Sequence, residues 1–332
     1  MTQSDGIWLI YDGACPLCST AALATRIKQR FGQLHLIDAR TQAAHPLVQE
    51  ITQRGYDLDE GMVIYHNGQI YHGQSALSFM AQHGEARTGF MALCKSLFWS
   101  DYLARLFYPW LRGIRNWLIR RKHVRPLDNL GCAAQPIFAP IFGADWPHLP
   151  PVFHMHYANR PYTHDVVTVT GHLDVYCARP LRLMGWALRL TGGFPPYTEK
   201  QVPVTVHFRS DPHTKRYHFE RIFHFKGRRP YHFHSYMEQQ QGHEVVEITR
   251  NHLGWHAQYG WNNGHVVLQH KAFVLRVLGY TIRLPLEILL GQVIATETAT
   301  SDSAFDMSME IRHPRWGLVY SYKGHFEVQD TP

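Results

Sequence analysis

Cysteine is scarce. Five residues in 332, Cys15, Cys18, Cys94, Cys132 and Cys177, form one close pair and three singletons. An odd, scattered set excludes the disulfide framework of a small secreted domain, and a chain this long can bury cores without staples. No uncharged apolar run reaches about 18 residues, so a spanning helix is not expected. The opening MTQSDGIWLIYDG has no positive segment leading into a long apolar one, so no secretory signal is read there. These absences predict a reducing, cytoplasmic setting, with peripheral membrane contact as the only approach to lipid. Fixed-period repeats and low-complexity tracts are also missing. Acidic side chains are nearly absent from residues 97–127, where seven Lys or Arg face Asp101 alone. Much of the net charge of +7 therefore sits in one segment.

Residues 7–11, IWLIY, form a short continuous apolar run, the pattern of a strand buried on both faces. A helical pattern follows, with Pro16 in its first turn and Gly32 as its stop. LHLIDA (34–39) reads as a second strand. MVIYHNGQIYHG (62–73) reads as a hairpin turning on Asn67-Gly68, and QSALSFMAQHG as a helix on the sheet. The order β-α-β then β-β-α is the minimal thioredoxin-like arrangement. Residues 88–125 are helical, with a break expected near Pro109. Six prolines between residues 126 and 151 predict a linker. From about 152 to 330 the pattern changes to alternating runs such as VVTVTGHLDVY and GLVYSYKGHFEV, interrupted by one helix, RPLRLMGWALRLTG. Eight or nine antiparallel strands predict a barrel or sandwich. The expected architecture is α+β in two domains: 1–125 with a basic helical tail (88–125), a 126–151 linker, and a 152–330 β-rich domain.

Cys15 and Cys18 stand three positions apart where the first strand meets the first helix. Thiol–disulfide exchange needs an attacking thiolate and a nearby thiol to resolve the mixed disulfide. A helix N-terminus favours the thiolate, which assigns Cys15 as nucleophile, open to solvent, and Cys18 as the more buried resolving thiol. Asp12 either caps the helix or accepts the Cys18 proton. A closed zinc site is disfavoured, because four ligands are needed and the other cysteines stand alone.

YDGACPLC resembles the signature of the DCC family of thiol–disulfide oxidoreductases, named for an Asp and two Cys, here Asp12, Cys15 and Cys18. NGQIYHGQSAL (Asn67–Leu77) and the aromatic-rich helical tail extend the resemblance over about 5–125. It implies a thioredoxin-like fold and dithiol chemistry. Thioredoxins place a cis-proline against the CxxC, whereas no proline occurs here between Pro46 and Pro109. Met62 takes that place, so Pro16, Gly61 and Met62 are the candidate lining of an altered substrate groove.

The basic segment LFWSDYLARLFYPWLRGIRNWLIRRKHVRP mixes Trp, Leu and Phe with Arg. It reads as a core-facing apolar stripe with a solvated basic face, or as an interfacial helix on anionic lipid through 97–125. No nucleic-acid module accompanies the charge. Seventeen of the 24 histidines follow residue 150, so a histidine site belongs there. His154 with His156, and His232 with His234, share strand-face spacing, yet such pairs read first as polar strand positions, and no metal or other cofactor is expected.

Residues 152–328 resemble domain of unknown function 4166, through GHLDV, FERIFHFKG, GYTIRLPLEILLG, ATETA and HPRWGLVYSYKGHF. That family often forms the tail of larger multidomain proteins. Arg221 and Glu297 fall in its distinctive stretches, as an internal ion pair or as contacts to a ligand. A closed barrel would offer a cavity for a small apolar ligand. The function expected is dithiol–disulfide exchange with a protein or small-molecule partner, the β domain holding substrate or an apolar ligand. The alternative is a non-catalytic binding or membrane-peripheral scaffold in which the CxxC is structural or binds metal.

Overall fold

The computed structural model describes residues 6–19, 33–83, 92, 96, 100–183, 185 and 192–329. The chain folds as two units, Met1–Gly131 and Cys132–Pro332.

In the first unit, β1 (Gly6–Tyr11) is central in a four-stranded sheet. It pairs in parallel with β2 (Gln33–Asp38) and antiparallel with β3 (Val63–His66), which pairs with β4 (Gln69–His72). The strand is apolar on both sides because both faces are covered. Ile7 and Leu9 join a core with Met62, Leu77 and Met80, whereas Ile10 joins Ile37, Leu47 and Ile51 beneath α1 (Pro46–Gln53). Each such side chain contributes about 1.5–3 kcal/mol by leaving water. The β3–β4 hairpin turns on Asn67 and Gly68, both at positive φ (48° and 78°), as a type I′ turn requires. Helix α2 (Gln74–His83) follows. The CxxC helix is described over residues 16–19, and its expected continuation to Gly32 lies outside the described residues.

Helix α3 (Asp101–Arg121) runs unbroken through Pro109, against the expected break there. The sequence before it, 88–99, lies almost wholly outside the described residues. Its faces also differ from expectation. Arg115 and Ala104 are buried, while Leu106, Trp110 and Trp117 are exposed. One arginine of the basic face thus turns inward, and part of the apolar stripe turns outward.

The second unit is an eleven-stranded antiparallel sheet. Its strands are β5 (Val166–Cys177), β6 (Glu199–Ser210), β7 (Tyr217–Phe223), β8 (Tyr231–Gln239), β9 (Glu244–Thr249) and β10 (Leu253–Asn262). β11 (His265–Val277), β12 (Tyr280–Leu284), β13 (Gln292–Ala299), β14 (Ala304–His313) and β15 (Gly317–Gln329) follow. The pairing of β10 with β11 closes the sheet into a barrel, and β12 branches off β11 outside the ring. A closed ring leaves few edges to protect. The expectation of eight or nine strands undercounted them. The helix expected after β5 is present at Arg179–Leu183, and its remainder to 191 lies mostly outside the described residues.

Residues 132–151 are not a free linker. Short helices, α4 (Ala139–Phe142) and α5 (Pro151–His156) among them, place Phe138, Ile141, Phe142 and Leu149 in the barrel's core. Prolines break regular structure here without preventing burial. α5 also overturns the strand reading of His154 and His156, which lie on this helix.

Candidate active site

The end of β1 delivers a tight turn. The Asp12 carbonyl accepts from the Cys15 N–H (3.1 Å), and the Asp12 carboxylate accepts from the Ala14 N–H (3.0 Å). That carboxylate, buried at 2 % exposure, is also held by the Arg40 guanidinium through both oxygens. Arg40 in turn donates to the Arg125 carbonyl. Asp12 therefore braces the turn carrying the cysteines, through the Ala14 N–H ahead of the helix and through Arg40.

The two sulfurs lie 2.7 Å apart, and the Cys18 N–H points at the Cys15 sulfur from 3.3 Å. Cys15 thus sits where an unpaired helical N–H and the neighbouring thiol both stabilise negative charge. Its thiol is lowered to about 6, first by the hydrogen bond from Cys18, then against the cost of burial, with help from the Arg115 charge. Cys18 moves the opposite way, because its proton is shared with Cys15 and because burial and the adjacent sulfur charge oppose its ionisation. The two environments thus push the two thiols in opposite directions.

Arg115 is the buried charge beside the dithiol that the sequence reading missed. Burial works against its charge, yet the two sulfurs hold the guanidinium above its ordinary range. Its Nη1 donates to the Asp59 carbonyl, and among the described residues no oxygen or nitrogen acceptor meets Nε or Nη2. The signal was present in the helical spacing. Ala104, Tyr108, Leu111 and Arg115 fall on one face, which is the face turned toward the dithiol.

The solvent-open nucleophile expected at Cys15 is corrected, since Cys15 is 0 % and Cys18 3 % exposed. Gly61 and Met62 do lie beside Cys18, with Leu77, Tyr108 and Arg115, around a void of about 40 Å³. Pro16 is half-buried and is not among the residues lining it. Tyr108 fills the space a groove would need. A Cβ on Gly61 would come within 2.7 Å of the Gly73 Cα, and one on Gly73 (φ +57°) within 2.5 Å of the Tyr108 hydroxyl. The two glycines let α3 pack down, and Tyr108 donates to the Glu60 carbonyl (3.2 Å) while Arg112 pairs with Glu60 (3.0 Å).

In the barrel, Arg221 and Glu297 are both buried and face one interior void of about 60 Å³. They do not form the expected pair. Arg221 donates to Ser235 (2.9 Å) and Glu247 (2.9 Å) and lies over the Phe219 and Phe233 rings. Glu297 accepts from the Tyr157 hydroxyl and lies 3.9 Å from His156 Nε2. A void this size holds roughly two waters, far short of the ~300 Å³ of an ordinary ligand pocket. Side chains fill the barrel where an apolar ligand was expected.

The architecture is that of a dithiol-bearing α/β unit joined in one chain to a closed antiparallel barrel. The chain belongs to the family of the domain of unknown function DUF4166, whose model matches residues 149–326. The model of DCC1-like thiol-disulfide oxidoreductases matches residues 9–121, which agrees with a thioredoxin-like first unit. No curated protein matches the chain. Among solved structures, Rv2717c from M. tuberculosis aligns at TM-score 0.30 and 11% identity, covering 49% of this chain and 91% of that one. The dehydratase domain of the polyketide PpsC from Mycobacterium tuberculosis aligns at 0.13 and 8% identity, covering 57% and 84%. Likenesses this weak carry no argument here.

Proposed function

We propose that the first unit exchanges dithiol for disulfide with a protein or small-molecule partner, with Cys15 as nucleophile and Cys18 as resolving thiol. The observation that carries this reading is the geometry of the pair: two free thiols 2.7 Å apart in the first turn of a helix, the Cys18 N–H 3.3 Å from the Cys15 sulfur, and the Arg115 side chain beside them. The Cys15 thiolate attacks one sulfur of the partner disulfide and releases the other as thiolate. Cys18 then loses its proton to that thiolate and attacks the Cys15 sulfur, which expels the second partner sulfur as thiolate. Two electrons pass to the partner, which leaves as one thiol and one thiolate, and a Cys15–Cys18 disulfide remains. Exchange requires α3 to lift, and the contacts that break are Tyr108 and Arg112 on Glu60 and Arg115 on the Asp59 carbonyl.

Cys18→Ser should arrest the sequence at the mixed disulfide, and non-reducing electrophoresis should show a reductant-sensitive adduct absent from Cys15→Ser. Equal adduct in both variants, or none in either, removes Cys15 from the reaction.

A second reading concerns membrane contact. Leu106, Trp110 and Trp117 are exposed along α3, with the Arg121 guanidinium 5.3 Å from the Trp117 ring centre. Exposed tryptophans beside arginines suit an anionic interface. Among the described residues no helix is long and apolar enough to cross a membrane. Sedimentation with anionic vesicles should exceed that with neutral ones and should fall in Trp110→Ala/Trp117→Ala. Equal partition into both lipids argues against the contact.

A further inference from the structure

The barrel's outer wall carries a constellation separate from the dithiol. His232 and His234 flank the buried Phe233 on β8, so both imidazoles project outward. Their rings are nearly parallel (11°), with centroids 5.9 Å apart. On β7, Glu220 stands directly opposite His234 in the antiparallel register, and its Oε1 lies 3.9 Å from His232 Nδ1. One donor atom from each of the three residues can be chosen so that all lie within 4.8 Å of one another.

We propose that Glu220, His232 and His234 form a binding site for a divalent transition-metal ion such as Zn²⁺. Two imidazoles and a carboxylate suit an ion of intermediate softness, and three protein ligands leave coordination positions open to solvent or a further ligand. Zinc holds N and O donors at about 2.0–2.2 Å, so the three groups need to close by only ~1 Å, a modest rotation for exposed side chains. The second carboxylate oxygen is already engaged, since Arg209 Nε lies 3.6 Å from Glu220 Oε2. That contact leaves Oε1 facing the histidine side and puts Arg209 where an outer partner of a metal ligand would stand. Arg209 and Arg250 oppose a cation here, which makes this a site of moderate rather than extreme affinity.

The test is Zn²⁺ titration of the full chain by calorimetry, beside a Cys15→Ala/Cys18→Ala chain in which the thiolates cannot compete. One saturable site should persist in the cysteine-free chain. His232→Ala and Glu220→Gln should each weaken it by at least the roughly tenfold that loss of an outer partner costs. His325→Ala, an exposed histidine elsewhere on the barrel, should leave it unchanged. Circular dichroism of each variant should match the parent, as expected for surface positions. No saturable binding at roughly the micromolar level, or equal loss in His325→Ala, would overturn the proposal.

Discussion

Arg115→Met should raise the ionisation midpoint of Cys15 from about 6 to above neutrality. The sign follows from charge, since a cation beside a thiol favours the thiolate and its removal favours the protonated form. A close opposite charge is worth about one to three pH units, and each unit is tenfold in the thiolate-to-thiol ratio below the midpoint. At neutral pH the nucleophile would change from mostly ionised to mostly protonated. The midpoint can be read from thiolate ultraviolet absorbance as a difference between each protein and its Cys15→Ser partner, which needs no reagent to reach a buried sulfur. Arg115→Lys should restore part of the effect, because it returns the charge without the planar fork. A merely structural Arg115 predicts something else: loss of stability from the Asp59 contact with no movement of the midpoint. An unchanged midpoint in folded Arg115→Met protein would remove Arg115 from thiol activation.

What could be read without coordinates was the local chemistry. IWLIY carries its own two-sided burial, Asn67-Gly68 its own turn, and CPLC at a strand–helix junction its own redox reading. Each of these signals is contained within a few neighbouring residues. The misreadings share the opposite property. Periodicity shows that α3 has two faces but not which one meets the sheet, and so Arg115 passed for a solvated charge while Trp110 and Trp117 were left between a core and an interfacial reading. The same ambiguity hid Tyr108, whose docking depends on Gly61 and Gly73, about 50 and 35 residues upstream.

The barrel behaves alike. Alternation identified its strands, but register decides who meets whom, and no single strand contains that information. Arg221 meets Glu247, two strands away, instead of Glu297. Glu220 meets the histidines of the next strand, a juxtaposition invisible when each strand is read alone. Residues 132–151 failed for a different reason. Proline density reports the absence of regular hydrogen bonding and says nothing about burial, which here is set by Phe138, Ile141 and Phe142.

Glu297→Gln should change the pH dependence of barrel stability more than its value at any one pH. Burial raises the Glu297 carboxyl to about 7 from 4.5, and burial lowers the neighbouring His156 to about 3 from 6.5. A carboxyl raised on folding binds more protons in the folded than in the unfolded chain between those two values. Its contribution is complete below about 4.5 and is lost as pH climbs through 7. A depressed histidine works in reverse: folding excludes its proton, so stability is lost as pH falls through 6.5 toward 3. Across the shared window the two slopes oppose, each at about 1.4 kcal/mol per pH unit, and the native pair gives a nearly flat plateau. The amide introduced by Glu297→Gln would keep an acceptor for the Tyr157 hydroxyl while removing the titration. The stability difference, parent minus variant, should therefore fall by about 3 kcal/mol as pH rises from 4.5 to 7, measured by urea unfolding at a series of pH values. Subtracting the variant cancels the remaining histidines, which titrate in both proteins. A difference independent of pH would mean that Glu297 is already ionised in the folded barrel, with Tyr157 and Arg221 carrying its charge.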